Sequence, residues 1–519
     1  MRIVLLLLLT FASTTVLAED FYFVLDDDPA NASATHYTTP DQACQVAYAA
    51  DVPKLAALSY TQPQPYKAPT LSPNSNPPKF VYYDCPTVAY SPTINSTATF
   101  AHTITRGGDG CTADQTYNPQ SGQCESADQD QARKEMGDPT SVAVAGIVSC
   151  GDPVNVGTGN VYESEMDYAD ADGELRFQRS YNSASGRWIS TYETSLYINT
   201  KGLVITFSDG RQALFKLTNG VATPEPTELG SMTKVSGLWV YTSPTNEQFT
   251  FNAQGKLTRW KFADSLSQSL TYVTSSDGLT VTATVADSRG HTLQFAKKQG
   301  YLQSLIVGGL TMTYTLDSTF RMKAVTRTWP GHTTSRTYIY DDPNNPRLLT
   351  GITDERGIRS ATWAYDAQGR AISNQRAIGA DKVTIAYNSD GTTTVTNALG
   401  NSTIYHYQII QGVKRVTAVQ GEPAIGCPAS NSSYTYTANG QVDTKTDAIG
   451  TITTYTYDTL GREVTRIEAK GTPQERTITT TWDATRFLPL TMTTADRVIT
   501  YTYDTQGRPL STSVHATKE

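Results

Sequence analysis

The stretch Tyr455-Thr-Tyr457-Asp458-Thr-Leu-Gly461-Arg462 decides the fold of this chain, because the same unit recurs through its C-terminal part. Aromatic residues two positions apart lie on one face of a β-strand. An Asp that opens a turn accepts backbone N–H bonds, and a Gly three positions later adopts the positive φ that closes a tight hairpin with a bulge. The unit therefore predicts a strand of a β-hairpin followed by its turn.

The unit is recognised by its aromatic strand, its turn, or both. Its members are Tyr338, Tyr340 and Asp341; Trp363, Tyr365, Asp366 and Gly369; Tyr434 and Tyr436; Tyr455, Tyr457, Asp458 and Gly461; and Tyr501, Tyr503, Asp504 and Gly507. A second turn formula, Asp354-Glu-Arg-Gly357, recurs between them. A single hairpin cannot bury its own face of rings, so neighbouring repeats must pair or stack. The repeats predict a long, twisted antiparallel sheet that winds continuously.

The composition agrees with a chain of short, half-exposed strands. The 519 residues include 30 Tyr and 37 Gly but only 14 Phe, and charged residues make up 17%. The formal net charge of -8 provides no long-range attraction to phosphate and argues against a nucleic-acid partner. The small net charge per residue also argues against a charge-expanded disordered chain. We expect an all-β protein.

The N-terminus has the features of a secretory signal peptide. Arg2 precedes the apolar run of residues 3–9, and a stretch rich in Thr and Ser ends at Ala18, the expected cleavage point. The apolar run is too short for a membrane anchor, which needs about 20 residues. We therefore expect export of a chain that begins at Glu19, without a transmembrane segment, to the periplasm, the cell surface or the medium.

Six cysteines fit an oxidising compartment. Their spacing contains no C-x-x-C and no nearby His pair, which argues against a zinc site. Cys111 and Cys124 enclose twelve residues rich in turn formers, and a local disulfide between them is the favoured pairing. The other pairings stay open. Cys427 could pair with an N-terminal cysteine, remain buried and free, or pair between chains.

The chain divides into four predicted segments. They are a signal peptide at 1–18, an irregular Cys- and Pro-rich region with a linker at 19–150, a first all-β block at 151–346 and the repeat array at 347–519. Proline-rich patches in the second segment argue against long helices and central strands. Residues 126–136 are the only stretch of good helix formers, and Gly137 and Pro139 end it. The sequence thus predicts one short helix.

The Tyr–Asp turn formula resembles the YD repeats of the RHS (rearrangement hot spot) family. Two further stretches support the resemblance. Residues 151–160, followed by Tyr162-Glu-Ser-Glu-Met-Asp-Tyr168 and Phe177-Gln-Arg-Ser-Tyr-Asn-Ser183, resemble the segment that opens the RHS shell in secreted bacterial members. Residues 471–482, followed by Arg486-Phe-Leu-Pro489, resemble a recurrent stretch of bacterial RHS cores. The three matches occur in the order of the family and extend from residue 151 to the C-terminus.

The resemblance implies a hollow β-shell, a spiralling sheet that encloses a C-terminal polymorphic toxin in complete members. In other members the YD repeats are extracellular and are associated with carbohydrate binding. This sequence departs from the toxin-bearing pattern in two ways. It ends at Glu519 directly after a repeat, and it lacks an Asp-Pro-x-Gly autoproteolysis site. We therefore expect a C-terminally short shell without a toxin tip and without self-cleavage.

The sequence contains no motif that indicates catalysis or cofactor binding. The six histidines are scattered, and no H-E-x-x-H, nucleophile elbow or phosphate loop occurs. Acidic runs such as Asp26-Asp-Asp28 and Asp341-Asp342 lack the alternating ligand spacing of a calcium loop. We expect no catalytic residue, no cofactor and no metal ion. The regular row of tyrosines indicates a packed core between repeats in preference to a sugar-stacking surface.

Two functions follow from these patterns. The first is a non-enzymatic secreted shell component, or a truncated remnant of one, in a polymorphic-toxin system of interbacterial competition. Its partner would be a downstream RHS shell or toxin chain, or a neighbouring cell surface. The alternative is a stand-alone extracellular YD-repeat protein that binds surface carbohydrate or a partner protein. Shell completeness distinguishes them, because an unfinished array leaves an unpaired sheet edge.

Overall fold

The computed structural model describes most of the chain after residue 21. The described residues are 22–26, 34–37, 39–73, 75, 81–107, 116–118, 120, 123–138, 149–150, 154–171, 174–199, 201–264, 266–421 and 431–517. The predicted signal peptide with Ala18, and the cysteines Cys111 and Cys427, lie outside them. The chain divides into two compact units, Met1–Asp130 with Asn199–Lys201 and Leu217–Gly220, and Gln131–Ile198 with Gly202–Lys216 and Val221–Glu519.

The first unit contains a five-stranded antiparallel sheet and a small hairpin. The elements in this part of the chain are β1 (Tyr22–Leu25), α1 (Pro40–Ala57), β2 (Gln62–Pro63), β3 (Thr70–Leu71), β4 (Tyr82–Ser91), β5 (Ser96–Gly107), β6 (Thr116–Asn118), β7 (Gln123–Glu125) and α2 (Ala127–Glu135), whose last residues belong to the second unit. The hairpin of β4 and β5 forms the centre of the sheet. Strand β1 pairs with β5, and β2 and β3 pair with β4.

The helix α1 shows that the prediction of a single short helix was wrong. Thr39 accepts a hydrogen bond from the backbone N–H of Gln42 at 3.1 Å, and Pro40 occupies the first turn. Thr followed by Pro is a recognised start signal for a helix, which the surrounding prolines obscured in the sequence. The second helix, α2, lies within the predicted stretch 126–136.

A disulfide joins α1 to β4. Cys44 bonds to Cys85, with 5.7 Å between their Cα atoms, a pairing that the sequence left open. The core around it consists of Phe23, Ala43, Ala47 and Ile104. Cys124 is also disulfide-bonded, but its pairing with Cys111 stays a prediction because Cys111 lies outside the described residues.

A histidine held between two carboxylates ties β5 to α1 and to the end of β1. His102 Nε2 lies 2.5 Å from Asp51 Oδ2, and its Nδ1 contacts Asp26 Oδ2. Asp51 is buried. Burial alone would lower the pKa of His102, but the hydrogen bonds to Asp26 and Asp51 outweigh it and raise that pKa. The protonated imidazolium, which donates from both nitrogens, is therefore the form that the fold favours.

We expect the first unit to lose stability as the pH rises through the raised pKa of His102. The stabilisation is complete below the unfolded pKa of about 6.5 and disappears above the folded pKa, because the neutral ring cannot donate to both carboxylates. Thermal unfolding of the wild type and His102→Gln between pH 5 and 9 tests this. The difference in Tm should shrink as the pH rises, and a constant difference would contradict the assignment.

The second unit is built almost entirely of strands. Before its large sheet, the strands are β8 (Ser149–Cys150), β9 (Val154–Asn155), β10 (Tyr162–Ala169), β11 (Arg176–Asn182), β12 (Arg187–Ser190), β13 (Ser195–Ile198), β14 (Gly202–Thr206), β15 (Gln212–Thr218) and β16 (Val221–Pro224). Strands β10–β12 form one antiparallel sheet and β13–β16 another. A 3₁₀ turn at Thr191–Glu193 joins the two sheets.

The remaining strands form a single 26-stranded sheet. They are β17 (Ser231–Val235), β18 (Leu238–Thr242), β19 (Gln248–Phe251), β20 (Leu257–Lys261), β21 (Ser267–Thr274), β22 (Thr280–Ala286), β23 (Thr292–Lys298), β24 (Tyr301–Val307), β25 (Leu310–Leu316), β26 (Met322–Trp329), β27 (His332–Ile339), β28 (Gly351–Thr353), β29 (Arg359–Tyr365), β30 (Ala371–Arg376), β31 (Val383–Tyr387), β32 (Thr393–Thr396), β33 (Ser402–Ile410), β34 (Val413–Gly421), β35 (Ser432–Tyr436), β36 (Val442–Thr446), β37 (Ile452–Tyr457), β38 (Glu463–Glu468), β39 (Arg476–Trp482), β40 (Pro489–Thr493), β41 (Arg497–Tyr503) and β42 (Pro509–Ala516).

Each strand of the large sheet pairs antiparallel with its neighbours in chain order. The expectation of an all-β fold built on a long antiparallel repeat sheet is therefore confirmed. The segment limits at residues 150 and 346 stay predictions. In the described part of the chain, no helix is both long and apolar enough to cross a membrane.

The large sheet winds back onto itself. The side-chain amide of Asn246, in the turn between β18 and β19, donates to the carbonyl oxygen of Phe487 at 2.9 Å and accepts from its N–H at 3.1 Å. Phe487 lies in the connection from β39 to β40, at the opposite rim of the meander. Lys261 and Gln506 repeat this rim-to-rim contact at 3.1 Å. One rim of the sheet thus meets the other, as expected of a sheet that winds in a spiral.

Candidate functional site

The strand β11 carries a row of large side chains on one face. Phe177, Arg179 and Tyr181 lie two positions apart and are 0–1% exposed, so they point to the same side of the strand. The ring centroid of Phe177 lies 5.5 Å from that of Phe295 and 6.5 Å from that of Tyr314. This face of β11 therefore packs on the large sheet at β23 and β25.

The same row continues across the large sheet to β28. The hydroxyl of Tyr181 donates to the carbonyl oxygen of Arg347 and accepts from the N–H of Leu349, each at 2.9 Å. Trp188 of β12 contacts both Tyr181 and Tyr338, with ring centroids 5.4 and 5.2 Å apart. Strand β11 and its neighbour thus cover the aromatic face of strands β23–β28, which places the stretch 177–183 in direct contact with the first predicted repeat.

Arg179 is the centre of a buried network of charges and hydroxyls. Its guanidinium donates to Asp167 at 2.6 and 2.9 Å, to Glu165 at 2.6 Å and to the hydroxyl of Tyr338 at 2.9 Å. Tyr314 donates to Asp167 at 2.7 Å, and Tyr338 donates to Glu165. The network therefore joins β10 and β11 to β25 and β27 of the large sheet.

The local sequence explains how these groups meet. Glu165 lies directly opposite Arg179 in the pairing of β10 with β11, and a bulge in β10 follows Met166. Glu165 and Asp167 are two positions apart and lie on the same side of β10, and the bulge leaves Asp167 without a cross-strand partner, so both carboxylates reach one guanidinium. Charge-assisted hydrogen bonds of this kind are the strong ones in a protein interior.

The electrostatics of the network favour the ionised form of Glu165 and the neutral form of Tyr338. Burial alone would raise the pKa of Glu165, but Arg179 and Arg336 outweigh it and hold that pKa below its usual value. Arg336 donates to Glu165 at 2.7 Å from the more exposed side. Burial, followed by the nearby carboxylate Glu165, raises the pKa of Tyr338, although Arg179 acts in the opposite direction. The tyrosine hydroxyl is thus kept protonated as a donor, a structural role.

The three predicted Asp–Gly turns share one geometry. In each turn, Asp Oδ1 accepts the backbone N–H groups two and four positions later at 2.9–3.0 Å, and Oδ2 pairs with the Arg four positions later. The glycines Gly369, Gly461 and Gly507 have φ between +78° and +88°. A register shift precedes each turn, at Tyr365, Tyr457 and Tyr503, as in a hairpin with a bulge.

The second aromatic residue of the last four repeats also makes a recurring contact. Its hydroxyl donates to the carbonyl oxygen of a residue at or near the start of the preceding strand. The donors are Tyr365 to Leu349 at 2.7 Å, Tyr436 to Val416 at 2.5 Å, Tyr457 to Val442 at 2.8 Å and Tyr503 to Pro489 at 2.9 Å. Tyr272 and Tyr387 make the same contact with Leu257 and Ala371, outside the predicted repeats.

The predicted repeat residues differ in burial along the chain. Tyr338, Trp363 and Tyr365 are buried. The later rings are half-buried, namely Tyr434, Tyr436, Tyr455, Tyr457, Tyr501 and Tyr503. The first repeat departs from the turn geometry: Asp341 is exposed and its N–H donates to Thr350 Oγ1 at 3.1 Å, while Tyr340 accepts from Trp188 Nε1 at 3.1 Å.

A surface depression lies on the half-buried part of the repeats. It has a volume of about 440 Å³ and is lined by Lys445, Tyr455, Arg466 and Glu468 of strands β36–β38. Tyr455 and Arg466 are direct partners in the pairing of β37 with β38. The depression thus combines an aromatic ring with charges of both signs, the composition of a polar ligand site.

One group of possible metal ligands occurs in the described part of the chain. Ligand atoms of Asp170, Asp287 and His291 lie within 4.8 Å of one another. Asp287 belongs to the recurring turn Asp287-Ser-Arg-Gly290, and its carboxylate already accepts from the N–H of His291 at 2.7 Å and contacts His291 Nδ1 at 2.9 Å. The turn itself therefore accounts for the proximity of Asp287 and His291.

Comparison with known families identifies two segments. A model for a domain of unknown function (DUF6531) matches residues 151–215, and the RHS Repeat model matches residues 436–473. The second match contains the turn Asp458–Arg462 that defines the repeat. The chain therefore carries RHS/YD-repeat sequence at residues 436–473. No curated protein sequence matches it.

Three solved structures with some likeness to this chain contain TccC3. The crystal structure of TcdB2-TccC3-Cdc42 superposes with a TM-score of 0.36 and 13% identity over 71% of this chain and 20% of that chain. TcdB2-TccC3 without its hypervariable C-terminal region gives 0.37 and 13% over 69% and 19%, and the Photorhabdus luminescens Tc holotoxin pore gives 0.36 and 13% over 69% and 19%. This chain spans about a fifth of the length of those chains.

The Arg179 network was missed by the sequence reasoning. Its members on β10 and β11 lie in two stretches that indicate only the family resemblance, Tyr162-Glu-Ser-Glu-Met-Asp-Tyr168 and Phe177-Gln-Arg-Ser-Tyr181. The sequence signal for the network is an arginine between two aromatic residues at alternate positions, Phe177, Arg179 and Tyr181. Two acids at the same spacing, Glu165 and Asp167, precede it. A charge at a core position of a strand requires buried partners.

We expect Arg179→Met to lower the free energy of unfolding of the second unit by about 3–5 kcal/mol, because it leaves Glu165 and Asp167 buried without their cation. Chemical denaturation measures this change. Arg336→Met is the matched control, since Arg336 is one-third exposed and its removal should cost much less. Equal losses in the two variants would contradict the central role of Arg179.

We expect Tyr457→Phe to lower the free energy of unfolding by about 1 kcal/mol, because it removes one hydrogen bond and leaves the Val442 carbonyl oxygen without its donor. Tyr455→Phe is the control: in the described structure, its hydroxyl makes no hydrogen bond, so the change should be near zero. Chemical denaturation of both variants checks the contrast. Equal effects would show that the ring and not the hydroxyl contact matters.

Proposed function

We propose that this RHS/YD-repeat chain is a non-enzymatic structural component of an exported shell in a toxin-delivery system of interbacterial competition. The main support is the continuous sheet of strands β17–β42, in which every internal strand is paired on both sides. Its aromatic face is covered by β11 and β12 over strands β23–β28. The recurring Asp–Gly turns and tyrosine-to-carbonyl hydrogen bonds stabilise this sheet, as a structural role requires.

The large sheet has an unpaired edge among the described strands, and we propose that a partner binds at this edge. Strand β42 pairs only with β41, and most of its side chains are exposed. Unpaired strands recruit other strands by backbone hydrogen bonds. We propose that a second RHS-repeat polypeptide continues the sheet at β42, as a downstream shell or toxin chain would.

The pairing register identifies the backbone groups that such a partner would use. Thr517 N–H donates to the carbonyl oxygen of Asp496 at 3.0 Å, and Val514 is paired with Ile499. Hydrogen-bonded and non-hydrogen-bonded pairs alternate along an antiparallel ladder. Counting from Thr517, the N–H of Val514 points away from β41 and toward the free side.

Val514→Pro therefore removes a donor from the free side of β42 while the β41–β42 ladder keeps its bonds. We expect the wild-type chain, co-expressed with the reading frame downstream of its gene, to form a stable complex in size-exclusion chromatography with light scattering. Val514→Pro should reduce this complex at least tenfold, and the control Val514→Thr should retain it. A complex that persists with Val514→Pro, or a downstream frame that yields none, would contradict the proposal.

The depression at Tyr455 supports a second candidate, an extracellular YD-repeat protein that binds carbohydrate. A half-buried ring beside Lys445, Arg466 and Glu468 offers a stacking surface with donors and acceptors for hydroxyl groups. Titration of acidic and neutral oligosaccharides by calorimetry tests it. Tyr455→Ala should abolish binding and the control Tyr501→Ala should not, whereas no binding of any sugar would remove this candidate.

A further inference from the structure

A small cavity in the second unit is lined by more cations than carboxylates. It measures about 10 Å³ and lies between the end of α2, the strand β15, the segment after β16 and the strand β34. The charged residues that line it are Lys134, Arg211, Glu225, Glu228 and Arg415. A cavity of this size has room for a single small species.

The carboxylate of Glu225 is fully engaged by other groups. Arg133 donates to its two oxygens at 2.8 and 2.9 Å, Lys134 Nζ lies 3.2 Å away, and the N–H of Leu214 donates at 2.8 Å. Burial opposes ionisation of Glu225, but Arg133 outweighs it and lowers the pKa of that carboxyl to about 2. Glu225 is therefore neutralised without Arg415.

Glu228 is engaged as completely as Glu225. Arg211 donates to its Oε2 at 2.9 Å, while Tyr241 and the N–H of Gly230 donate to its Oε1 at 2.9 and 2.6 Å. These donors satisfy both oxygens. The two carboxylates at the cavity wall are thus paired with Arg133 and Arg211, and neither of them compensates Arg415.

Arg415 is buried with part of its guanidinium unbonded. The residue is 5% exposed, and its Nε and Nη1 have no hydrogen-bond partner among the described residues. The nearest acid in the α2 helix, Glu135, accepts instead from Gln131 and from the N–H of Lys414. Burial raises the pKa of Glu135 to about 7, although its hydrogen bonds and the nearby Arg415 act in the opposite direction. An unpaired buried guanidinium is costly unless a ligand satisfies it.

We propose that the cavity binds one monatomic anion of the size of chloride, held by Nε and Nη1 of Arg415 in the field of Lys134 and Arg211. The anion would supply both the hydrogen-bond acceptor and the negative charge that the protein side chains lack at this point. A water molecule would satisfy the N–H groups but not the charge. Sulfate and phosphate have several oxygens and exceed the space.

The site would connect parts of the chain that are far apart in sequence. Lys134 Nζ donates to the carbonyl oxygen of Gln411 at 2.8 Å, which already joins α2 to the turn before β34. An anion between Arg415, Lys134 and Arg211 would add β15 to this contact. Halide binding would thus stabilise the junction between α2, β15 and the repeat sheet, because a ligand specific for the folded state raises its stability.

Bromide replaces chloride and scatters anomalously, so crystals of the full chain grown in sodium bromide test the proposal directly. We expect an anomalous peak in the cavity within hydrogen-bonding distance of Arg415 Nε and Nη1. Water density in the cavity, or bromide peaks only elsewhere, would overturn it.

Thermal unfolding at constant ionic strength gives a second test in solution. Replacing gluconate by chloride should raise the Tm of the second unit saturably, by about 2–4 °C, and sulfate should not reproduce the effect. Arg415→Gln should lose this dependence. Arg462→Gln is the control, because Arg462 is also buried but is paired with Asp458 and two carbonyl oxygens, so its halide dependence should remain. A Tm that is the same in chloride and gluconate would contradict the site.

Discussion

The large sheet has one face of aromatic rings, and the rest of the second unit depends on the packing of strand β11 over that face. Each hairpin contributes rings that its own two strands cannot bury. Strand β11 supplies Phe177, Arg179 and Tyr181 as a cover for β23–β28, and the rings beneath it are buried. Beyond this cover, Tyr434, Tyr455 and Tyr501 are only half-buried. Trp363 and Tyr365 on β29, next to this cover, are also buried, so the burial of the predicted repeat rings decreases along the chain after the covered strands.

The buried charges at Arg179 serve registration more than net stability. A strand with only apolar residues could slide along the ring face with little loss, because hydrophobic contacts are not directional. Arg179 meets Glu165, Asp167, Tyr314 and Tyr338 in one position of β11 only, and a slip would leave two carboxylates without a cation. Buried ionic groups contribute little net free energy but penalise wrong alignments strongly. The network thus defines where the opening segment lies on the sheet.

The sequence predicts local structure here better than long-range contacts. The turn formula of Asp458 and Gly461 depends on hydrogen bonds within five residues, and the strand order follows from hairpins that join neighbours. By contrast, α1 was missed because its prolines were weighed more heavily than its start signal at Thr39. The Cys44–Cys85 bond and the Arg179 network were out of reach, because they join residues whose proximity depends on the whole fold. Arg415 is a similar case, since only packing shows which arginines lack partners.

Because strands β17–β42 pair in chain order, the large sheet can fold one hairpin at a time. Almost every strand of the large sheet finds its partner within the next twenty residues, so hairpins can form one after another as the chain is synthesised. The rim contact between Asn246 and Phe487 is different, because 241 residues separate the two. Spiral closure therefore has to wait until β40 is in place. Until then the ring face and the growing edge are exposed, and this interval is the period in which the chain depends most on protection from aggregation.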